Sequence, residues 1–320
     1  MVNRAVAALL AGGVAIAIGL IGQDAAIAAI DFNTLALLVG TMIIVGVARR
    51  SGLFGYVAIR AAQLMRGYPA GILVALAVVT AVASALLNNV TTVLLTVPVT
   101  LVICSELRVH PYPFLFAEVF ASNIGGTGTL IGDPPNILIG SAVGLSFNDF
   151  LLALGPAVVL VFLVQVALNH FIWGKAMGSD AERRRRIMAL RAVESIMDRY
   201  LLVCSLAVLA AVVTAFVFAA PLGLEAGTIA MLGAAVLVFL ENLPHERSKH
   251  TAAVARAFED VEWITIFFFI GLFVLVGAVE KAGLIDVLGR QLLAATGGNA
   301  EVLALSVLWA SAILSALIDN

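Results

Sequence analysis

The stretch Ser122-Asn-Ile-Gly-Gly-Thr-Gly-Thr-Leu-Ile-Gly-Asp-Pro-Pro-Asn136 constrains this chain more than any other. It interrupts a sequence that is 62% hydrophobic and 12% charged, with a mean hydropathy of +1.10. A water-soluble domain is nearer half apolar and a quarter charged, so the chain reads as an integral membrane protein with many passes. An ordinary membrane helix would not hold Gly125, Gly126, Gly128, Gly132, Asp133, Pro134 and Pro135 within about three turns. Glycine frees the backbone, and each proline removes a donor and clashes with the preceding turn, so the helix must break here. Broken backbone survives in lipid only where protein or a water-filled cavity covers it. The freed N–H and carbonyl groups would then meet the hydroxyls of Ser122, Thr127 and Thr129 and the amides of Asn123 and Asn136 near mid-membrane. Secondary transporters build ion and substrate sites in this way.

Apolar runs long enough to span cover 5–22, 32–48, 150–172, 199–219, 225–241 and 262–279. The regions 70–105 and 112–144 are apolar but interrupted, and 301–318 runs to the end of the sequence. Residues 5–22 lack a convincing signal-peptide cleavage site and read as a retained helix. Loop charge orients the chain with its N-terminus in the cytoplasm. Of the 18 Lys and Arg, only Lys281 and Arg290 then lie outside. The Arg183–Arg186 run reads as a cytoplasmic topology anchor within the 173–198 loop; a lipid or nucleic-acid patch is the weaker reading. No nucleic-acid partner is expected, and the surroundings are those of a bacterial inner membrane.

Residues 51–66 alternate apolar and basic positions at helical spacing and are expected to lie on the cytoplasmic surface. Within 70–105, Asn88, Asn89, Thr91 and Thr92 form a polar island between two apolar arms of about 18 and 15 residues, borderline for spanning. A re-entrant hairpin with a polar tip is favoured over two short spans. Shifting the sequence by 231 positions reveals a repeat. Gly40, Gly46, Gly52 and Leu53 fall on Gly271, Gly277, Gly283 and Leu284, and Ser84-Ala85-Leu86 on Ser315-Ala316-Leu317. Asn88-Asn89 falls on Asp319-Asn320. On the orientation above the two copies cross in opposite directions, an inverted repeat. The expected architecture is an all-α polytopic inverted-repeat secondary transporter with re-entrant hairpins and broken helices. Its first half is 1–172, and its second, 199–320, ends within its hairpin. By the same logic the sequence would lack about a hundred C-terminal residues and would not transport as written.

The segments Asn88-Asn-Val-Thr-Thr-Val-Leu-Leu-Thr-Val-Pro98, 122–136 and Ser315-Ala-Leu-Ile-Asp-Asn320 resemble the ion-transporter superfamily, which includes arsenite permeases, sodium/proton antiporters and citrate-type permeases. The closest pattern is the P-protein-like branch. The resemblance implies a transport domain with two hairpins and two broken helices, commonly in a homodimer. It implies a substrate and ion site drawn from Asn88, Asn89, Thr91, Thr92, Ser122, Asn123, Gly125, Gly126, Thr127, Gly128, Thr129, Asp133, Asn136, Asp319 and Asn320. Sodium would sit at Asn89, Gly126 and Asp133. In the superfamily's divalent anion/sodium symporters the tips read Ser-Asn-Thr; here they read Asn88-Asn89-Val90 and Asp319-Asn320, which disfavours a dicarboxylate and favours a cation, a proton or a neutral substrate.

The expected activity is coupled transport of a small ion with H⁺ or Na⁺ and no other cofactor. Arsenite, neutral as As(OH)₃ at neutral pH, suits a site of hydroxyls and amides. Sodium/proton exchange comes second and citrate-type uptake third. A channel with the Gly-rich backbone as filter is the rival from another class, and inverted repeats argue against it. No nucleotide-binding P-loop and no nucleophile or metal cluster of catalytic spacing is present, so no enzyme activity is expected. Whether an ATPase partner docks on the cytoplasmic loops is left open. Asp133 reads as a coupling site or as the N-cap of a half-helix starting at Pro134. Glu118 reads as facing the same cavity or as a partner of Arg108. Cys104 and Cys204 read as small buried hydrophobes.

On a background lacking Cys104 and Cys204, Arg185→Cys should be labelled by a membrane-impermeant thiol reagent only from the cytoplasmic side, and Arg290→Cys only from the other. The reverse pattern would overturn the orientation.

Overall fold

The computed structural model describes residues 3–318 except 175–176, 179 and 245–246. Its helices are α1 (Arg4–Ala17), α2 (Gln23–Ala28), α3 (Phe32–Arg50), α4 (Leu53–Leu64), α5 (Pro69–Leu86), α6 (Asn89–Leu107), α7 (Tyr112–Thr127), α8 (Pro134–Val143) and α9 (Phe147–Asn169). They continue with α10 (Ala181–Ala189), α11 (Arg199–Val217), α12 (Ala219–Leu222), α13 (Ala226–Asn242), α14 (Arg247–Glu259), α15 (Trp263–Lys281), α16 (Leu284–Ala295) and α17 (Ala300–Ile318). No strand occurs among the described residues. Six of these helices are long and apolar enough to cross a bilayer: α3, α5, α6, α9 with the π-helical turn that extends it to Gly174, α11 and α15. Backbone polar groups in lipid must be satisfied within the protein, which leaves helices as the spanning element. The chain is an all-α polytopic membrane protein.

It divides into two compact units. The first comprises Met1–Asp31 and Trp263–Asn320. Here α1 lies against α15 with the backbones nearly touching: a Cβ added at Gly271 would stand 2.5 Å from the carbonyl carbon of Ala8. The Arg4 guanidinium sits 5.4 Å from the Phe268 ring centroid.

The second unit is Phe32–Glu262. In one part of it α3, α11 and α13 pack together. A Cβ on Gly40 would lie 2.6 Å from the carbonyl carbon of Ala230, so these helices meet backbone to backbone. Their ends are tied by charge: Arg50 Nη2 donates to both oxygens of Glu241 at 3.0 Å, and its Nη1 to Asp260, which also takes Arg49 at 2.5 Å. Glu241 is a buried ion-pair partner. Two carboxylates offset the charge of a largely buried Arg50, although its Nε is left without a partner among the described residues.

The other part is built on α4 to α7. Only Leu87 and Asn88 separate α5 from α6, and α6 begins with Asn88 Oδ1 accepting the Val90 N–H at 2.9 Å, an N-cap. The two arms fold back on each other: Ile72, Leu73, Leu76 and Ala77 of α5 share one core with Ile103, Cys104 and Leu107 of α6. Ala58 and Ala62 of α4 close the open end, and Phe114, Ala117 and Ala121 of α7 lie alongside. The first arm, at 18 residues, has the expected length; the second, at 19, is longer than expected, because α6 continues through Pro98 to Leu107.

The stretch expected as loop 173–198 contains α10 and a 3₁₀ turn at Ala192–Ser195. Ile187 inserts fully buried into the same core. Asp180 caps α10, and the Arg183 N–H donating to it holds its carboxyl below the usual carboxylate range. The arginine run is largely engaged locally: Arg183 with Asp180, Arg186 with Glu182, and Arg184 4.4 Å from the Tyr68 ring centroid.

The 231-residue repeat reaches the element boundaries. Helices α3 and α15 are both 19 residues, and α4 and α16 both 12, at that offset. Gly52 and Gly283 both take the left-handed conformation (φ 84° and 74°), as do Gly67 and Gly298 (φ 74° each), a conformation that only glycine adopts cheaply. These are two matched pairs of turns; the other matched glycines, Gly40 with Gly271 and Gly46 with Gly277, lie inside α3 and α15.

Gly40→Ala should destabilise the protein by about 1–3 kcal/mol through forced separation of α3 and α13. Gly13→Ala, whose added carbon meets nothing within 4 Å, should leave the midpoint unchanged. Thermal unfolding in detergent compares them, and equal midpoints would contradict the α3–α13 contact.

Candidate functional site

The helix breaks where the sequence requires. Helix α7 ends at Thr127 and α8 starts at Pro134, with residues 128–133 crossing between them. The crossing is packed against the tip of the α5–α6 hairpin by missing side chains. A Cβ at Gly125 would lie 2.1 Å from the Ala81 carbonyl oxygen, and one at Gly132 would lie 2.4 Å from the Gly126 oxygen and 2.7 Å from that of Ser84. No residue with a side chain fits at either position.

This close approach lets side chains from one segment satisfy backbone freed in another. Ser84 Oγ donates to the Ser122 carbonyl at 2.6 Å, and Thr129 Oγ1 to that of Ala85 at 2.5 Å. Thr129 Oγ1 in turn accepts the Gly132 N–H at 3.2 Å. Asn136, buried in the first turn of α8, directs its Nδ2 at the carbonyls of Thr129 (2.8 Å), Thr127 (3.1 Å) and Gly126 (3.4 Å). Orphaned carbonyls in a dry interior are costly, so Ser84, Thr129 and Asn136 are the clasp of the break.

Three of the expected residues then meet with their polar ends together. Asn89 Nδ2 lies 3.1 Å from Asn123 Oδ1 and 3.4 Å from Asp133 Oδ1. Asp133 occupies the N-cap position of α8 in extended conformation, yet its side chain caps nothing. Its carboxylate is left available to the site, half-buried, beside the exposed Asn123. An amide, a second amide oxygen and a carboxylate on three separate segments form an oxygen-rich, net negative cluster at a helix break. Among the described residues no Lys, Arg or His side chain is hydrogen-bonded to any of the three.

The other expected residues have different placements. Ser122, Thr92 and Thr127 turn their hydroxyls back onto carbonyls of their own helices, Val119, Asn88 and Asn123. Thr91 donates to Glu262 at 3.1 Å and faces a separate cavity of about 170 Å³ lined by Arg49, Glu259, Asp260 and Glu262. The Gly126 carbonyl accepts from Asn136 rather than joining Asn89 and Asp133. Gly125 and Gly128 are buried. Asp319 and Asn320 lie outside the described residues. Sequence reasoning did not assign Ser84 to the site, although its recurrence at Ser315 under the repeat was the available signal. Nor did it assign Thr96 and Thr100, which follow Thr92 at helical spacing on the buried face of α6.

A polytopic helical protein with a helix broken against a hairpin tip, and acceptors converging at the break, has the build of a secondary transporter. Across residues 1–320 the chain matches the family described as citrate transporter, and it belongs to that family within the ion-transporter superfamily. It is 47% identical over 291 residues to an uncharacterized transporter of Mycobacterium tuberculosis, covering 91% of this chain and 66% of that protein. It is 42% identical over 323 residues to a 46 kDa membrane protein of Mycobacterium leprae, covering 100% of this chain and 73% of that protein. It is also 31% identical over 401 residues to the P protein of Homo sapiens, of which 47% is covered. The chain therefore spans just under two thirds of the first of these relatives and about half of the last.

Asn136→Ala should cost about 1–3 kcal/mol, because it strips the donor from buried carbonyls. Thr127→Ala, which removes only an exposed hydroxyl bonded to its own helix, should cost almost nothing. Unfolding midpoints in detergent test the contrast.

Proposed function

We propose that the protein is a cation-coupled secondary active transporter of a small ion, with the Asn89–Asn123–Asp133 cluster receiving the coupling H⁺ or Na⁺. The observation that carries this is Asp133: a carboxylate at a helix break, not consumed in capping, and met among the described residues by the Asn89 amide. An intramembrane carboxylate is expensive unless a cation or proton offsets it, and offsetting and releasing that charge is what ion coupling requires. The inverted repeat favours alternating access over a channel. We place the protein in the inner membrane with a cytoplasmic N-terminus, as a homodimer.

For the substrate, neutral arsenous acid is the first choice, because the Asn89 and Asn123 amides can bind it without a countercharge. Sodium/proton exchange is the second reading, favoured by the uncapped Asp133. The family description brings in citrate as a third; with no cationic side chain bonded to the cluster, a polyanion would have to arrive with its charge carried by cations.

Everted vesicles carrying the full-length protein separate these readings. Arsenite uptake that depends on a proton or sodium gradient, and falls about ten- to hundredfold in Asp133→Asn, is the expected result, since losing a charged contact is worth roughly 1.5–3 kcal/mol. Sodium-induced collapse of the proton gradient without arsenite uptake would select exchange, and citrate uptake alone would select the third reading. Unchanged coupling in Asp133→Asn would remove Asp133 from the pathway.

A further inference from the structure

Glu118 is the one carboxylate of α7. It sits a single turn before Ser122, its relative exposure is 0%, and it does not meet Arg108, which is exposed beyond the end of α6. Its partners are two hydroxyls of α6. Thr100 Oγ1 lies 2.5 Å from Glu118 Oε1, and Thr96 Oγ1 lies 3.4 Å from Oε2. Thr92, Thr96 and Thr100 form a buried hydroxyl row that starts three residues from Asn89 and ends at Glu118. Pro98, inside α6, withholds one backbone donor from this stretch.

Among the described residues, the other elements packed on α7 bring no countercharge to Glu118: the π-helical turn whose Trp173 meets Phe116 carries His170, which is exposed. Helix α5 carries no titratable side chain. Helix α9 brings Gln165, whose amide is bonded to the Ala117 carbonyl at 2.7 Å, and Asp149 at its opposite end, bonded to Ser146. Helix α6 contributes Cys104, which is buried, and Glu106 one turn below Val102. A carboxylate sealed from water with no cation is far costlier than the neutral acid. The hydrogen count permits the neutral acid. Thr96 has one hydrogen, and the Val93 carbonyl lies 3.4 Å from its hydroxyl. If that hydrogen goes to Val93, the Thr96–Glu118 contact is completed by a proton on Oε2, while Thr100 donates to Oε1.

We propose that Glu118 is a proton-binding site of the transport cycle, distinct from the Asp133 cluster, loaded in this conformation and reached through the Thr92–Thr96–Thr100 row. The ligand class is the proton alone: two hydroxyls and one carboxyl are too few oxygens for a dehydrated sodium ion. This rests on the reading of the protein as a coupled transporter, but it has a readout that does not require transport.

Infrared spectroscopy of the purified full chain at neutral pH should show a protonated-carboxyl stretching band. The band should persist in Asp133→Asn, vanish in Glu118→Gln, and shift in Thr100→Val, which keeps Glu118 in place should Glu118→Gln fail to fold. In proteoliposomes, Glu118→Gln should reduce proton-driven flux by about tenfold or more while substrate counterflow, which needs no net proton movement, continues. No such band in the wild-type protein, a band unaffected by both Glu118→Gln and Thr100→Val, or proton-driven flux that survives in Glu118→Gln would each overturn the proposal. A band that behaves as expected in a protein that moves none of the tested ions would instead count against the transport reading and reduce Glu118 to a permanently neutral structural acid.

Discussion

The contact on which the site depends is backbone against backbone. Gly125 on α7 meets the Ala81 carbonyl of α5, and Gly132 in the crossing meets both Gly126 and Ser84. Because no side chain intervenes, the hairpin tip and the broken helix come within hydrogen-bonding range over several residues. Ser84 and Thr129 can then satisfy carbonyls on the partner segment, and Asn136 can gather three more. Without that approach, the unpaired groups at the break would be stranded in a medium that offers no water. The polar cluster of Asn89, Asn123 and Asp133 is a by-product of the same geometry, since these residues flank the points of closest contact.

The rest of the second unit supports this arrangement from its edges. Helix α4 bridges the open end of the hairpin through Ala58 and Ala62, and Ile187 of α10 fills the same core. The Arg49–Arg50–Glu241–Asp260 network fastens the ends of α3 and α13 to the residue after α14. Small residues recur at the helix contacts, at Gly40 and Gly271 as at Gly125, as expected where packing rather than the hydrophobic effect holds helices together.

Two carboxylates in this region occupy contrasting settings. Asp133 is half-buried, uncapped and beside an exposed amide, whereas Glu118 is sealed between helices with only hydroxyls around it. The first is open to its surroundings in the conformation seen. The second is met by the α6 hydroxyl row through which the proposed proton would reach it. That difference in access is what gives the pair separate roles in the proposed cycle.

Much of this was legible in the sequence because the constraint was chemical. Gly-rich backbone followed by Asp-Pro-Pro cannot continue a helix, so the break between Thr127 and Pro134 needed no tertiary information. The membrane class followed from composition, and the matched left-handed turns at Gly52 and Gly283 follow from glycines in register. Tertiary structure alone decided which polar groups face one another. Asn88, Thr91 and Thr92 are neighbours of Asn89 in sequence, yet they turn to a helix cap, to Glu262 and to their own helix. Residues one or two apart on a helix face different directions, and Thr92, three from Asn89, spends its hydroxyl on the Asn88 carbonyl, so a polar island in sequence does not specify a polar cluster in space. Glu118 had two readings from sequence, a cavity and Arg108, and the structure placed it against Thr96 and Thr100 instead. Their alignment depends on the rotation of α6 against α7, a packing variable that no local pattern encodes.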